Sequence, residues 1–137
     1  MRLTFERLQL KLNMRYALWI AQGLLALTFL FAGGSKFVMS VEDMNQGSTI
    51  QLSGLFLRFI GTCEVLGGLA MVLPGLLKIK TGLTPLAAAG LVIIMIGATW
   101  ITIAEGMAFV ALIPFTVGVL AAFVAYGRWR VLPLQSY

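Results

Sequence analysis

The residues of this chain that could do chemistry are few, and they lie in or beside its most apolar stretches. Glu64 sits well inside an apolar run that begins at Leu55. Its depth along a helix is roughly 13 Å. An ionised carboxylate there costs on the order of 3 kcal/mol, so it should face protein rather than lipid. The spacing agrees. Gly61, Glu64, Gly68, Val72 and Gly75 follow steps of three and four, a face of small residues along which another helix can approach closely.

Lys36 is the best-placed partner. Side chains lean toward the N-terminus of their own helix. If the first and second apolar runs cross in opposite directions, Lys36 leans inward while Glu64 leans outward to meet it. Rise counting separates them by about 10 Å along the axis, a gap that two long side chains can close with or without a water. Arg58 is turned about 120° around the helix from Glu64. It leans toward the headgroups, where it can snorkel.

The first run also places Gln22, Ala26, Phe29, Gly33 and Lys36 on one face, and the third places Met95, Ala98, Thr102 and Glu105 on another. Together these define a candidate polar pocket in the outer half of a bundle. Its residues are Lys36, Arg58, Glu64, Thr102 and Glu105, with Phe29 and Met95 as apolar walls. Gly33, Gly61, Gly67 and Gly68 are the helix-packing positions. Two readings stand side by side: a site for an amphipathic ligand such as a quinone headgroup or lipid, or a buried pair that fixes helix register. Gln22 alone marks the inner half, which argues against a transmembrane proton path.

Other chemistries lack their residues. There is no histidine, which excludes His-containing metal sites, and haem iron usually takes histidine. Cys63 is the one cysteine, so no dithiol relay forms within the chain, and it reads as a small packing residue. No nucleophile and base pair, metal cluster or nucleotide loop is found. No catalytic residue, bound metal or covalent cofactor is expected, and quinone or lipid is the candidate ligand.

The elements that must position these groups follow from composition. The chain has 137 residues, 60% hydrophobic and 11% charged, with a net charge of +5. Soluble domains carry about 25% charged residues, and a globule this small could not hide so much apolar surface. Four runs, at about 16–38, 55–77, 85–104 and 107–126, are each long enough for a helix to cross a hydrocarbon core of about 30 Å. The fold class is all-α: an integral membrane four-helix bundle, up-down-up-down, as one transmembrane domain over 16–126. A basic segment, 1–15, precedes it as an interfacial helix or a plain basic tail, and a basic tail, 127–137, follows.

The charge marks topology rather than a nucleic-acid partner. Arg2, Arg7, Lys11, Arg15, Lys78, Lys80, Arg128 and Arg130 flank ends that share one side in such a bundle, against Lys36 and Arg58 on the other. This bias places both termini in the cytoplasm and the chain in the plasma (inner) membrane. Tyr16, Trp19, Tyr126 and Trp129 fall at that interface. The basic start resembles a signal peptide, but its apolar run is too long for a signal core, and it reads as the first span.

Local signals set the ends. Ser40 and Asp43 form a weak capping pattern. Pro74 and Gly75 close the second helix. Thr84 caps the third, with Pro85 in its first turn. Glu105 and Gly106 make a tight turn, and Pro114 lies within the fourth helix as a kink point.

The segments LTFLFAGGSKF, RFIGTCEVLGGLAMVLPGL and LTPLAAAGLVIIMIGA resemble the DoxX-like family of small four-helix prokaryotic membrane proteins, over about 24–126. The resemblance implies the four-helix fold and carries over Lys36, Glu64, Gly67 and Gly68 as recurrent polar and small positions. It also implies a setting among membrane redox complexes, some quinone-linked. The expected function is a non-catalytic membrane accessory or assembly subunit, associated with an electron-transfer complex and partnered by membrane lipids and other membrane subunits. The alternative is a quinone- or lipid-binding subunit of an oxidoreductase. A third reading is a small transporter, which needs oligomerisation to make a path.

Overall fold

The computed structural model describes residues 1–134. They form α1 (Arg2–Val38), α2 (Val41–Asn45), α3 (Gly54–Leu77), α4 (Leu83–Ala104) and α5 (Leu112–Tyr126), and a π-helical segment (Gly127–Val131) follows α5. No strand occurs among the described residues. α1, α3, α4 and the combined stretch Leu112–Val131 are each long and apolar enough to cross a membrane.

The basic segment is continuous with the first span. α1 begins at Arg2, its opening turns are exposed, and its first fully buried side chain is Leu18. From there it packs on α3. Gly33 meets Gly61, Gly68 lies under the Ala26 carbonyl, and Trp19 lies against Gly75. Residue numbers fall along one helix as they rise along the other, so α1 and α3 run in opposite directions. α4 covers the next flank of α3 through Leu91 against Gly67. Leu25, Phe29, Met71, Leu91 and Val124 make the apolar centre. Ile93, Ile96, Trp100, Phe115 and Val119 point outward, as expected of helices that are apolar all round.

Three local expectations change. α3 runs through Pro74 and Gly75 to Leu77 and is capped by Lys78, whose backbone is left-handed (φ 55°). Pro74 lacks an N–H, so the Ala70 carbonyl loses its helical donor. Thr84 supplies the replacement: its Oγ1 donates to Ala70 O at 2.6 Å instead of capping its own helix. α5 starts at Leu112 rather than Met107, after a run of turns. Pro114 therefore lies in its first turn, where a proline costs no hydrogen bond, and the Val110 carbonyl accepts from the Ile113 N–H at 3.0 Å.

The connection 39–53 is compact. Ser40 caps α2 by accepting the Asp43 N–H, and Ser53 caps α3 by accepting the Phe56 N–H. Asn45 is buried and bonds both the N–H and the carbonyl of Leu52. Gly106 takes φ +83° in the turn after α4, a conformation L side chains rarely adopt. The end of the bundle bearing 39–53 is the distal end. The opposite end, where Arg15, Lys78 and Arg128 line one cavity, is the basic end.

Candidate functional site

The distal site is built on a helix crossing. A Cβ on Gly33 would lie 2.7 Å from the Gly61 carbonyl oxygen and 2.9 Å from the Val65 nitrogen. One on Gly61 would lie 3.0 Å from the Gly33 oxygen and 3.0 Å from Lys36 Cβ. The two backbones touch, and only glycine permits that approach.

The same approach brings the charges together. Lys36 Nζ donates directly to Glu64 Oε2 at 2.8 Å. Nζ also lies 3.4 Å from Ala32 O, one of the last carbonyls of α1, where a cation is favoured. Glu64 is 3% exposed, and the Lys36 side chain is 22% exposed. The lysine thus reaches from the rim into a buried carboxylate.

The other predicted pocket residues disperse. The Arg58 guanidinium lies over the Phe37 ring, 5.9 Å from its centroid. Phe29 is core, packed in the same cluster as Met95. Thr102 donates to the Ala98 carbonyl one turn back at 2.7 Å. Glu105 holds the distal connection: it accepts the Thr49 N–H at 2.9 Å, the Thr49 hydroxyl at 2.8 Å and the Ile50 N–H at 2.6 Å. The bonds from the Thr49 and Ile50 backbone, then from the Thr49 hydroxyl, hold its carboxyl below the ordinary value of 4.5. Gly67 faces Leu91 on α4, while Gly68 faces Ala26 and Leu30 on α1.

Cavities lie elsewhere. A groove of about 430 Å3 runs between α4 and α5, lined by Met95, Thr99, Trp100, Pro114, Phe115 and Gly118 among others. Its wall is apolar, and the Thr99 hydroxyl is already bonded to Met95 O. Neither this groove nor the cavities at the basic end is lined by Lys36, Arg58 or Glu64.

A family model describes this bundle. The DoxX-like model matches residues 20–124. The chain belongs to the DoxX-like family. No curated protein and no solved structure matches it. The matched region of this DoxX-like protein includes the glycine crossing, Lys36 and Glu64. It excludes Arg15, Trp19 and Arg128.

Those residues form a second polar centre that the spacing of charges did not disclose. Gln22 is fully buried; its amide donates to Met71 O, and its Oε1 accepts Arg128 Nε at 2.6 Å. The signal was Gln22 itself, a polar amide in an apolar run that requires partners. Arg128 read as a topology marker in the tail, whereas the π-helical segment places it in the bundle at 4% exposure.

Proposed function

We propose that this DoxX-like protein is a non-catalytic integral membrane subunit or assembly partner of an electron-transfer complex. In this reading it sits in the plasma membrane as an up-down-up-down bundle with both termini cytoplasmic. The observation that carries the reading is the contact of Lys36 with Glu64. The two charges satisfy each other at 2.8 Å on a glycine crossing, so they serve the joint between α1 and α3. The excess of basic residues at one end supports the orientation. The redox setting follows from the family resemblance.

The test is mild-detergent purification of the chain from its native membranes. The expected result is co-migration with other subunits bearing flavin, haem or iron–sulfur absorbance. A chain that runs alone, without a redox centre, overturns the proposal.

One observation favours a second reading, a quinone- or lipid-binding subunit. The groove between α4 and α5 opens beside Trp100 and Phe115, and its apolar wall suits a prenyl or acyl tail better than a headgroup. Stripping quinone and adding it back should then change the fluorescence of Trp100. No change rejects this reading.

A further inference from the structure

The basic end holds a buried cation with no anion beside it among the described residues. Arg128 Nε is bonded to Gln22 Oε1, and Nη1 donates to Leu132 O at 3.0 Å. Trp19 lies against the guanidinium, 5.3 Å from ring centroid to Cζ. These three contacts fix the plane of the group. Nη2 is buried and has no hydrogen-bond partner among the described residues. A buried, unpaired charge is among the most costly features a fold can carry, and an unsatisfied buried donor adds to the cost.

No described carboxylate is in place to answer it. Glu6 pairs with Arg2, Glu64 pairs with Lys36, Glu105 is held by Thr49 and Ile50, and Glu42 and Asp43 lie in α2 at the distal end. The guanidinium instead lines a cavity of about 240 Å3, together with Arg15, Trp19, Gly75, Lys78 and the stretch 132–134. Two arginines and a lysine border one small space.

The cavity adjoins an apolar groove. Arg128, Pro133 and Leu134 line both, and the groove is completed by Thr81, Gly82, Pro85, Leu86 and Trp129. Leu86 and Trp129 are exposed on the outer surface of the bundle. A polar, cationic cavity beside an apolar groove matches a headgroup with its chain, and basic pockets between membrane helices bind anionic headgroups. Guanidinium is the side chain best suited to phosphate oxygens.

We infer that Arg128 and Arg15 form a binding site for a phosphate-bearing ligand, its phosphate oxygens meeting Nη2 in the cavity between α1, the end of α3 and the 127–134 segment. The adjoining groove favours the phosphodiester of an anionic lipid as the source over free phosphate. The site lies at the opposite end from the Lys36 and Glu64 pair and does not depend on the proposed function.

The test uses the full chain in nanodiscs of phosphatidylcholine alone, or with phosphatidylglycerol, or with inorganic phosphate added. The readouts are the thermal midpoint and, by native mass spectrometry, lipid retention. Wild type is expected to gain stability with phosphatidylglycerol and to retain one molecule per chain. An effect of inorganic phosphate in phosphatidylcholine discs assigns the site to free phosphate.

Arg15→Gln, an exposed residue whose change leaves the Gln22 bond intact, should weaken retention about fivefold. Arg128→Lys, which cannot present a fixed planar fork, should abolish it. Lys80→Gln, at the same end but outside the cavity, should change nothing. Equal effects of Lys80→Gln and Arg15→Gln would make the binding diffuse and overturn the site. So would identical midpoints in all three discs. If a response appears only in a variant lacking residues 135–137, those residues occupy the cavity and the proposal fails.

Discussion

Lys36 and Glu64 meet over a glycine contact from opposite sides. Each follows its glycine by three positions, Gly33 to Lys36 and Gly61 to Glu64. Because α1 and α3 run in opposite directions, these equal offsets place the two Cα atoms on opposite sides of the crossing. The N-terminal lean of helical side chains then folds both back over the glycines, where Nζ and Oε2 close to 2.8 Å. The carboxylate is the more buried partner, so the two charges are not equivalent.

Removing one charge should therefore cost more than removing both. Lys36→Leu leaves Glu64 buried and unpaired, and the expected loss is about 2–3 kcal/mol, below the full value for a buried pair because the lysine is partly exposed. The double variant with Glu64→Leu should recover at least half of that. Reversible unfolding in detergent, arranged as a double-mutant cycle, measures the coupling. Additive losses would show that the charges do not depend on each other.

Two adjacent glycines should respond in opposite ways. A methyl on Gly33 meets the Gly61 carbonyl and the Val65 nitrogen, backbone atoms that cannot rotate away. Gly33→Ala should destabilise the bundle by about 1–3 kcal/mol, the range for overpacking. Gly34 has nothing within 4 Å of its virtual Cβ, and Gly34→Ala should be neutral or stabilise by up to about 1 kcal/mol through helix propensity. The same unfolding assay compares them. Equal effects would remove the crossing as the seat of α1 and α3 packing.

The Lys36 and Glu64 pair was legible because apolar runs, small-residue spacing and side-chain lean are all local quantities. So was the Ser40 cap, a pattern within four residues. Glu105 was not. Its lean pointed toward the pocket, but its partners are Thr49 and Ile50 in a connection whose path no periodicity encodes. Thr84 resembled a cap, and its actual acceptor is decided by a proline on another helix. Arg128 resembled a tail residue because charge counting cannot see a π-helical segment turning the side chain onto Gln22.

Glu105 should make the distal connection sensitive to acid. Its folded carboxyl lies below the ordinary value of 4.5, chiefly through the bond from the Thr49 backbone. The stabilisation is complete above 4.5 and is lost as pH falls through the lower folded value. Hydrogen exchange at the Thr49 and Ile50 amides should accelerate over that acid range beyond the intrinsic pH effect. Glu105→Gln should show weakened protection already at neutral pH and no such transition. Wild type without the transition would mean that the carboxylate does not hold 49–50.

The bond from Thr84 to Ala70 should be conditional on Pro74. The proline removes the N–H that the Ala70 carbonyl would otherwise accept, and Thr84 Oγ1 fills that vacancy at 2.6 Å. Thr84→Val keeps the shape and deletes the donor, leaving a part-buried carbonyl unsatisfied at a cost of about 1–2 kcal/mol. A Pro74→Ala background restores the backbone N–H at that position, which can bond the carbonyl instead. The same Thr84→Val change should then cost under about half as much. Thermal unfolding of the four variants measures the difference. If Thr84→Val costs the same in both backgrounds, the proline is not what ties α4 to α3.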